Sequence, residues 1–235
     1  MHFACLADAK IGIMTLPEEE SKHCVRVLRM EAGTAFKITN GGGEIFDAIM
    51  REAHPKKAVV ELSNPEKGYD FWPFKLCIAI APTKNNDRLE WFLEKATEIG
   101  IDEIFLFHSF HSERRQVKPE RLQKVLVAAL KQSLKSRLPK LHDLQSFNQF
   151  VKQDFQGRKF IAWIDEGVTD LLANTYKKGE NCLVLIGPEG DFSPEEVALA
   201  QINGFETVSL GQARLRTETA ALIACHSAQL INQMK

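Results

Sequence analysis

What the chain lacks narrows it first. Its 235 residues contain no apolar run of about 18 or more, the length a membrane helix needs, and its start, MHFACLADAK, has no basic end leading into an apolar stretch. The expectation is a cytoplasmic protein with no membrane partner. Cysteine is scarce: Cys5, Cys24, Cys77, Cys182 and Cys225 are odd in number, scattered, and never form C-x-x-C or lie near histidine pairs. That excludes a disulfide framework and a zinc site, and points to reduced, buried thiols with no metal. Charge of one sign is not in excess, since 30 Lys and Arg meet 31 Asp and Glu for a net charge of -1. A uniformly basic nucleic-acid binder is excluded, whereas a basic face is not. Neither G-x-S-x-G nor G-x-x-x-x-G-K-[ST] occurs, so the common hydrolase and NTPase motifs are absent.

What is present is an ordinary globular balance, 44% hydrophobic and 26% charged, with length enough for two domains. The first third is β-rich. Strand-like runs cover Thr34 to Thr39, Glu44 to Met50 and Lys57 to Leu62, and Asn40-Gly41-Gly42-Gly43 supplies the positive-φ positions of a hairpin. A helix is expected in LPEEESKHCVRVLRM, with Pro17 at its start and three glutamates in its first turn. The triple glycine is no dinucleotide loop, because a strand and not a helix follows it.

Asn64 to Pro73 reads as a connector between a small β domain over residues 1–68 and a larger one over 74–235. In the latter, short apolar runs at Leu76 to Ala81, Ile104 to Phe107, Phe160 to Ile164, Leu183 to Ile186 and Thr207 to Leu210 alternate with helical patterns. One helix is expected over Asp87 to Ile99, with Leu89, Phe92, Leu93, Ala96 and Ile99 on one face and Gly100 ending it. The fold class is α/β with a parallel sheet.

Two stretches carry candidate chemistry. In LVLIGPEGDFSPEE, a buried strand breaks at Gly187-Pro188, Gly187 and Gly190 let a ligand approach main chain, and Ser193 to Glu196 forms a capping box. Acidic Glu189 suits a cationic or hydroxyl-bearing ligand better than a bare phosphate. The second stretch, SLGQARLRTETAALIA, joins a short strand to an alanine-rich helix. Consecutive βα units would bring both loops to one sheet edge, facing one another across a pocket. Leu210, Gly211 and Leu215 offer apolar surface and main-chain hydrogen bonds to a flat heterocycle, and Arg216, Thr217 and Glu218 stand at the helix start. Taken singly, each stretch is also compatible with a tight turn and ordinary surface charge.

Positive charge concentrates in Arg114, Arg115, Lys118, Arg121, Lys124, Lys131, Lys135, Arg137 and Lys140, where a helix from Pro119 would turn Leu122, Val125, Leu126 and Leu130 inward and a basic side to phosphates. His23, Arg26 and Arg29, at helical spacing of three, form a second basic edge.

GPEGDFSPEE paired with SLGQARLRTETAA resembles the ribosomal RNA small-subunit methyltransferase E family, of the SPOUT class of knotted methyltransferases. HCVRVLR at residues 23–29, KATEIG at 95–100, SER at 112–114, Gln132-Ser133 and Leu138-Pro139 fit the same pattern, so the resemblance spans nearly the whole chain. It implies an N-terminal PUA-like β-barrel for RNA, a C-terminal α/β domain threading a trefoil knot, and a homodimer. It also implies S-adenosyl-L-methionine in the knot, at Gly187, Pro188, Glu189, Gly190, Leu210, Gly211, Leu215, Arg216 and Thr217. The implied reaction is methylation at N3 of one uridine in the decoding region of 16S rRNA, free or in the assembled small ribosomal subunit, with His23, Arg26, Arg29, Arg114, Lys124 and Lys135 as candidate RNA contacts. Uracil N3 carries a proton that must leave, so transfer needs a base and a stabiliser of the uracil anion. Arg216 is the candidate stabiliser; the base stays open among nearby carboxylates, with Glu218 ahead. Three positions depart from the family pattern: Asp191 stands where a third glycine is common, Lys131 where glutamate is usual, and Leu134-Lys135 where Gly-Arg is.

Overall fold

Alternation of apolar and polar residues builds the first sheet. In the computed structural model, which describes residues 2–70, 72–165 and 167–234, strands β1 (Phe3–Cys5), β2 (Gly12–Thr15), β3 (Ala35–Thr39), β4 (Glu44–Glu52) and β5 (Val59–Lys67) lie in the order β1-β3-β4-β5-β2. Only β1 and β3 run parallel; the other pairs are antiparallel. Every second residue of β4 (Phe46, Ala48, Met50) and of β5 (Val60, Leu62) faces a core shared with Leu16, Cys24, Phe36 and Ile38, as the period of two requires.

The strand β5 runs five residues past the expected end at Leu62, into the stretch expected to be a connector. A bulge makes this possible. Between the pairs Asp47 with Ser63 and Ile45 with Glu66, Asn64 and Pro65 of β5 stand against the single residue Phe46 of β4, one residue in excess, and a proline is tolerated at such a bulge. Asn64 takes φ 47° and donates from Nδ2 to Asp47 Oδ2 at 3.0 Å. Of the expected connector, Phe71 lies outside the described residues.

Helix α1 (Glu18–Lys22) starts after Pro17 with Glu18, Glu19 and Glu20 in its first turn, then widens into a π-helical turn over His23–Val27. The expected regular spacing of His23, Arg26 and Arg29 is therefore corrected. The wider turn alters their phase, and Arg29 lies beyond the helix end with φ 54°.

Contacts divide the chain into residues 1–71 with 127–138, and 72–126 with 139–235. The excursion of 127–138 into the first unit was not legible in the sequence division at residues 64–73. Its cause is a buried carboxylate: Asp70 accepts from Ser136 N at 2.8 Å, Arg137 N at 3.1 Å and the Ser136 hydroxyl. The Ser136 carbonyl in turn accepts from Thr39 Oγ1 at 2.9 Å and Gly43 N at 3.0 Å, which ties the segment to the glycine hairpin.

The second unit is built on parallel strands β6 (Leu76–Ile80), β7 (Glu103–His108), β8 (Lys140–Leu141), β9 (Gln145–Ser146), β10 (Arg158–Ala162), β11 (Cys182–Ile186) and β12 (Phe205–Val208). Their order is β12-β10-β11-β6-β7-β8, with β9 also on β7. Its helices are α2 (Asn86–Ile99), α3 (Pro119–Gln132, whose last turns belong to the first unit), α4 (Phe147–Phe150), α5 (Leu172–Thr175), α6 (Pro194–Ile202) and α7 (Thr217–Gln233). Each residue of the central strands β6 and β11 is buried, because helices cover both faces of a parallel sheet. An aromatic cluster of Phe107, Phe147, Phe150 and Phe192 fills one side, and α7 packs on β6, β11 and α2. Asn85 caps α2 by accepting from Asp87 N at 3.0 Å, and Gly100 ends that helix at φ 110°; of its expected apolar face, Ile99 is half-buried. Two expected strands lie two residues earlier in the chain. β10 is Arg158–Ala162 and not Phe160 to Ile164, and β12 stops at Val208, after which Ser209 forms only an isolated bridge with Leu171.

Candidate functional site

Because the strands of the second sheet are parallel, the loops after β6, β7, β10, β11 and β12 all leave its carboxyl edge, where crevices form. The two loops singled out in the sequence do share that edge. They do not end neighbouring strands, however: β10 lies between β11 and β12, so the β11–α6–β12 crossover skips one strand. Residues 209–216 then lead back to α7, which packs on β11 and β6.

The β11 loop is shaped from within. At Gly190 a Cβ would lie 2.9 Å from His111 Cβ, so a side chain there would force a shift, and at Gly187 it would lie a tight 3.1 Å from the Phe192 ring. Asp191 holds φ 60°, and its carboxylate accepts from Phe192 N at 2.8 Å and Ile164 N at 3.3 Å. Glycine would adopt this left-handed backbone without strain. Leu134, the other departure from glycine, likewise takes φ 56°, a region that costs a β-carbon residue about 1–2 kcal/mol. Burial pushes the Asp191 carboxyl above the usual aspartate range, against the pull of the Phe192 and Ile164 N–H groups and of His111. Ser193 and Glu196 form the expected capping box on α6, with Pro194 at its start.

The loop after β12 is mostly exposed. Gly211 takes φ 114°, its N–H meets Ser209 Oγ at 3.1 Å, and the space about its Cα is open. Leu210 and Leu215 are half-buried and Arg216 is exposed, whereas Thr217 and Glu218 are buried at the start of α7. Glu218 Oε1 stands 3.7 Å from Arg88 Nε on α2, and Glu218 Oε2 has no hydrogen-bond partner among the described residues.

A third wall, the β6–α2 loop, was missed by sequence reasoning. Glu189 of the GPEG loop accepts from Lys84 N at 2.9 Å, and Arg114 donates from Nε to Thr83 O at 3.0 Å and from Nη2 to Lys84 O at 2.5 Å. Glu189 from the β11 loop and Glu218 from the first turn of α7 thus converge on residues 84–88. The available signal was the apolar run LCIAIAP breaking into TKNN, a strand end running into a capped helix. His111, whose ring nitrogen Nδ1 lies 3.0 Å from Asp191 O, was missed as well.

The candidate RNA contacts divide. Arg114 turns its guanidinium onto the loop carbonyls; Lys84, Glu113, Arg115 and Gln116 line the adjoining groove of about 420 Å³ with it. Lys124 is exposed on α3. Lys135 is half-buried, its ammonium 5.4 Å from the centre of the Tyr69 ring, and Lys131 pairs with Glu20 at 2.6 Å. Arg26 and Arg29 are exposed and His23 is half-buried. The described residues contain no cluster of three or more His, Cys, Asp or Glu placed to hold a metal, and no helix among them is long and apolar enough to cross a membrane.

Comparison with known proteins matches residues 71–229 to the RNA methyltransferase domain family and residues 16–63 to the RNA methyltransferase PUA domain. Ribosomal RNA small subunit methyltransferase E of Bacillus subtilis is 29% identical over 224 residues, covering 88% of this chain and 85% of that protein. Among solved structures, one from Porphyromonas gingivalis, named a probable rRNA-methyltransferase, is 40% identical, covers 99% of both chains and superposes with a TM-score of 0.91. A candidate methyltransferase of Legionella pneumophila, solved with its bound cofactor SAM, is 26% identical over 97% of this chain and 96% of that one, with a TM-score of 0.87. With the methyltransferase domain matched over most of its length and the PUA domain ahead of it, the chain belongs to the ribosomal RNA small subunit methyltransferase E family of RNA methyltransferases.

Proposed function

We propose that the protein transfers the methyl group of S-adenosyl-L-methionine to N3 of one uridine in the decoding region of 16S rRNA. The observation that carries the reading is the placement of the β11 and β12 loops at one sheet edge, with Glu189 bonded to the β6–α2 loop and Glu218 of α7 facing Arg88 of α2, within the segment matched to the RNA methyltransferase domain. The Legionella relative solved with SAM supports the choice of donor. The residues present fit such a ligand: Gly187 to Gly190 offer main chain, Gly211 has open space around it, and Glu218 Oε2 is a buried acceptor lacking a partner among the described residues. When bound, the donor supplies an activated methyl on a sulfonium sulfur, so the protein needs no covalent intermediate of its own.

The chain's own residues then hold and align. Gly187, Pro188, Glu189, Gly190, Leu210, Gly211, Leu215, Arg216 and Thr217 are the proposed donor contacts, chiefly through main-chain groups. Exposed Arg216 stabilises the uracil anion, and Glu218 is the proposed base for the N3 proton. His23, Arg26, Arg29, Arg114, Lys124 and Lys135 are proposed to serve the RNA, and the first unit to act as a PUA-like barrel. We further propose the trefoil knot at the β11 and β12 loops, cytoplasmic action, and an isologous homodimer using Leu222, Ile223, Leu230 and Ile231 of α7. Of these, Leu230 is exposed and the other three are half-buried.

The test supplies methyl-labelled donor with purified small subunits or with 16S rRNA, digests the product to nucleosides and identifies the labelled one by mass spectrometry. Label in 3-methyluridine is expected. Label in a 2'-O-methylated ribose would replace this reading with sugar methylation, and failure to bind S-adenosyl-L-methionine would leave an RNA-binding assembly factor.

A further inference from the structure

Next to the donor loops lies a pair of exposed apolar side chains that the proposed reaction does not use. Phe110, in the loop after β7, is 72% exposed and Ile164, in the loop after β10, is 70% exposed. Both are fixed through the GPEGDF segment and the helix it enters. Phe110 donates its N–H to Glu196 Oε1 at 2.8 Å, so the capping glutamate of α6 also holds this loop. His111 stands edge-on to the Phe110 ring, with centroids 4.9 Å apart at 74°. Since a carbonyl only accepts, His111 Nδ1 donates to Asp191 O at 3.0 Å, while the Asp191 carboxylate accepts from Ile164 N at 3.3 Å. Asp191 therefore ties His111, the neighbour of the Phe110 ring, and the main chain of Ile164 to the loop that begins at Gly187, while Glu196 holds the main chain of Phe110.

A phenyl ring held in water by main-chain anchors is organised to receive a flat partner. The same loop continues into Glu113, Arg114, Arg115 and Lys118, so cations suited to phosphates follow the ring by a few residues. Exposed aromatic rings beside cations are how proteins take up unpaired bases, stacking the base face while the cations follow the backbone.

We propose that Phe110, steadied by His111, is a stacking platform for an unpaired base of the substrate RNA adjoining the methylated nucleotide, with Ile164 as its apolar flank. This rests on the RNA-methyltransferase reading above. Phe110 is a positioning residue in this account, since it orients the RNA and takes no part in proton or methyl transfer.

The experiment compares wild-type protein with Phe110→Ala and Phe110→Trp, after wild-type methyl transfer to small-subunit RNA has been established; failure of that first step would overturn the proposed function itself. Donor affinity by calorimetry and the melting temperature should match wild type in both variants, because the side chain is exposed. Phe110→Ala should bind RNA roughly 5- to 100-fold more weakly, with KM for RNA raised and single-turnover transfer at saturating RNA nearly unchanged. Phe110→Trp should restore binding. An RNA carrying 2-aminopurine beside the target should be quenched on binding wild type and Phe110→Trp, and not Phe110→Ala. Unchanged RNA affinity and quenching in Phe110→Ala would overturn the platform. Loss of self-association in sedimentation with RNA affinity intact would likewise overturn it, making the patch a contact between copies of this chain.

Discussion

Replacing Glu218 by glutamine separates two reasons for burying a carboxylate at the start of α7. The group is 6% exposed, its Oε1 lies 3.7 Å from Arg88 Nε, and Oε2 has no hydrogen-bond partner among the described residues. At the effective dielectric of about 20 that suits pairs near a protein surface, charges ~4 Å apart attract by roughly 4 kcal/mol. Desolvating a carboxylate costs several kcal/mol in the opposite direction. The Arg88 side chain is 38% exposed, so solvent further screens the attraction, and the two terms nearly cancel. The favourable place of a negative charge in a first helical turn adds about 0.3–1 kcal/mol. Glu218→Gln, which keeps the shape, should therefore change the free energy of unfolding by only about 1 kcal/mol. As the proposed base, it should lower methyl transfer by about 10²- to 10⁴-fold. Denaturant unfolding reads the first number; single-turnover transfer with donor and RNA both saturating reads the second. Transfer at the wild-type rate would remove Glu218 from the chemistry. A loss of more than about 3 kcal/mol would show that the pair with Arg88 is structural and that the desolvation argument is wrong.

Three further outcomes are expected. Arg216→Ala should keep donor affinity by calorimetry and lose most single-turnover transfer; a wild-type rate once RNA saturates would make Arg216 a binding residue only. Asp191 has its folded pKa raised by burial above the unfolded value, so its protonated form contributes stability that is fully present below the unfolded pKa and is lost as pH rises through the folded pKa. Asp191→Asn, which tolerates the same left-handed backbone, should therefore gain stability relative to wild type as pH rises through that range; a difference that stays flat with pH in unfolding titrations would contradict it. Lys124→Ala should weaken binding to all RNAs alike and reduce the salt slope by about one phosphate contact, whereas loss confined to one RNA sequence would point to base readout.

Much of this protein is fixed locally and was open to inspection in the chain. The buried runs of β6 and β11, the capping box of Ser193 and Glu196, Asn85 and Gly100 at the ends of α2, and the glycine hairpin at residues 40–43 depend on neighbours a few positions away. That GPEG and LRTET stand at strand and helix junctions was legible for the same reason. What the sequence could not determine depends on partners far along the chain. That β10 separates β11 from β12 is a choice of strand order, to which hydrophobic patterning is indifferent. The β6–α2 loop became a wall only because Glu189 and Arg114, 105 and 30 positions from Lys84, bond to its main chain. Residues 127–138 joined the first unit because one buried carboxylate, Asp70, needed donors and found them at Ser136 and Arg137. The departures at Asp191 and Leu134 also acquired their meaning from the backbone: both take the left-handed conformation that glycine adopts without strain. Sequence sets what each segment prefers, and tertiary structure decides which distant donor or charge satisfies a group once water is removed.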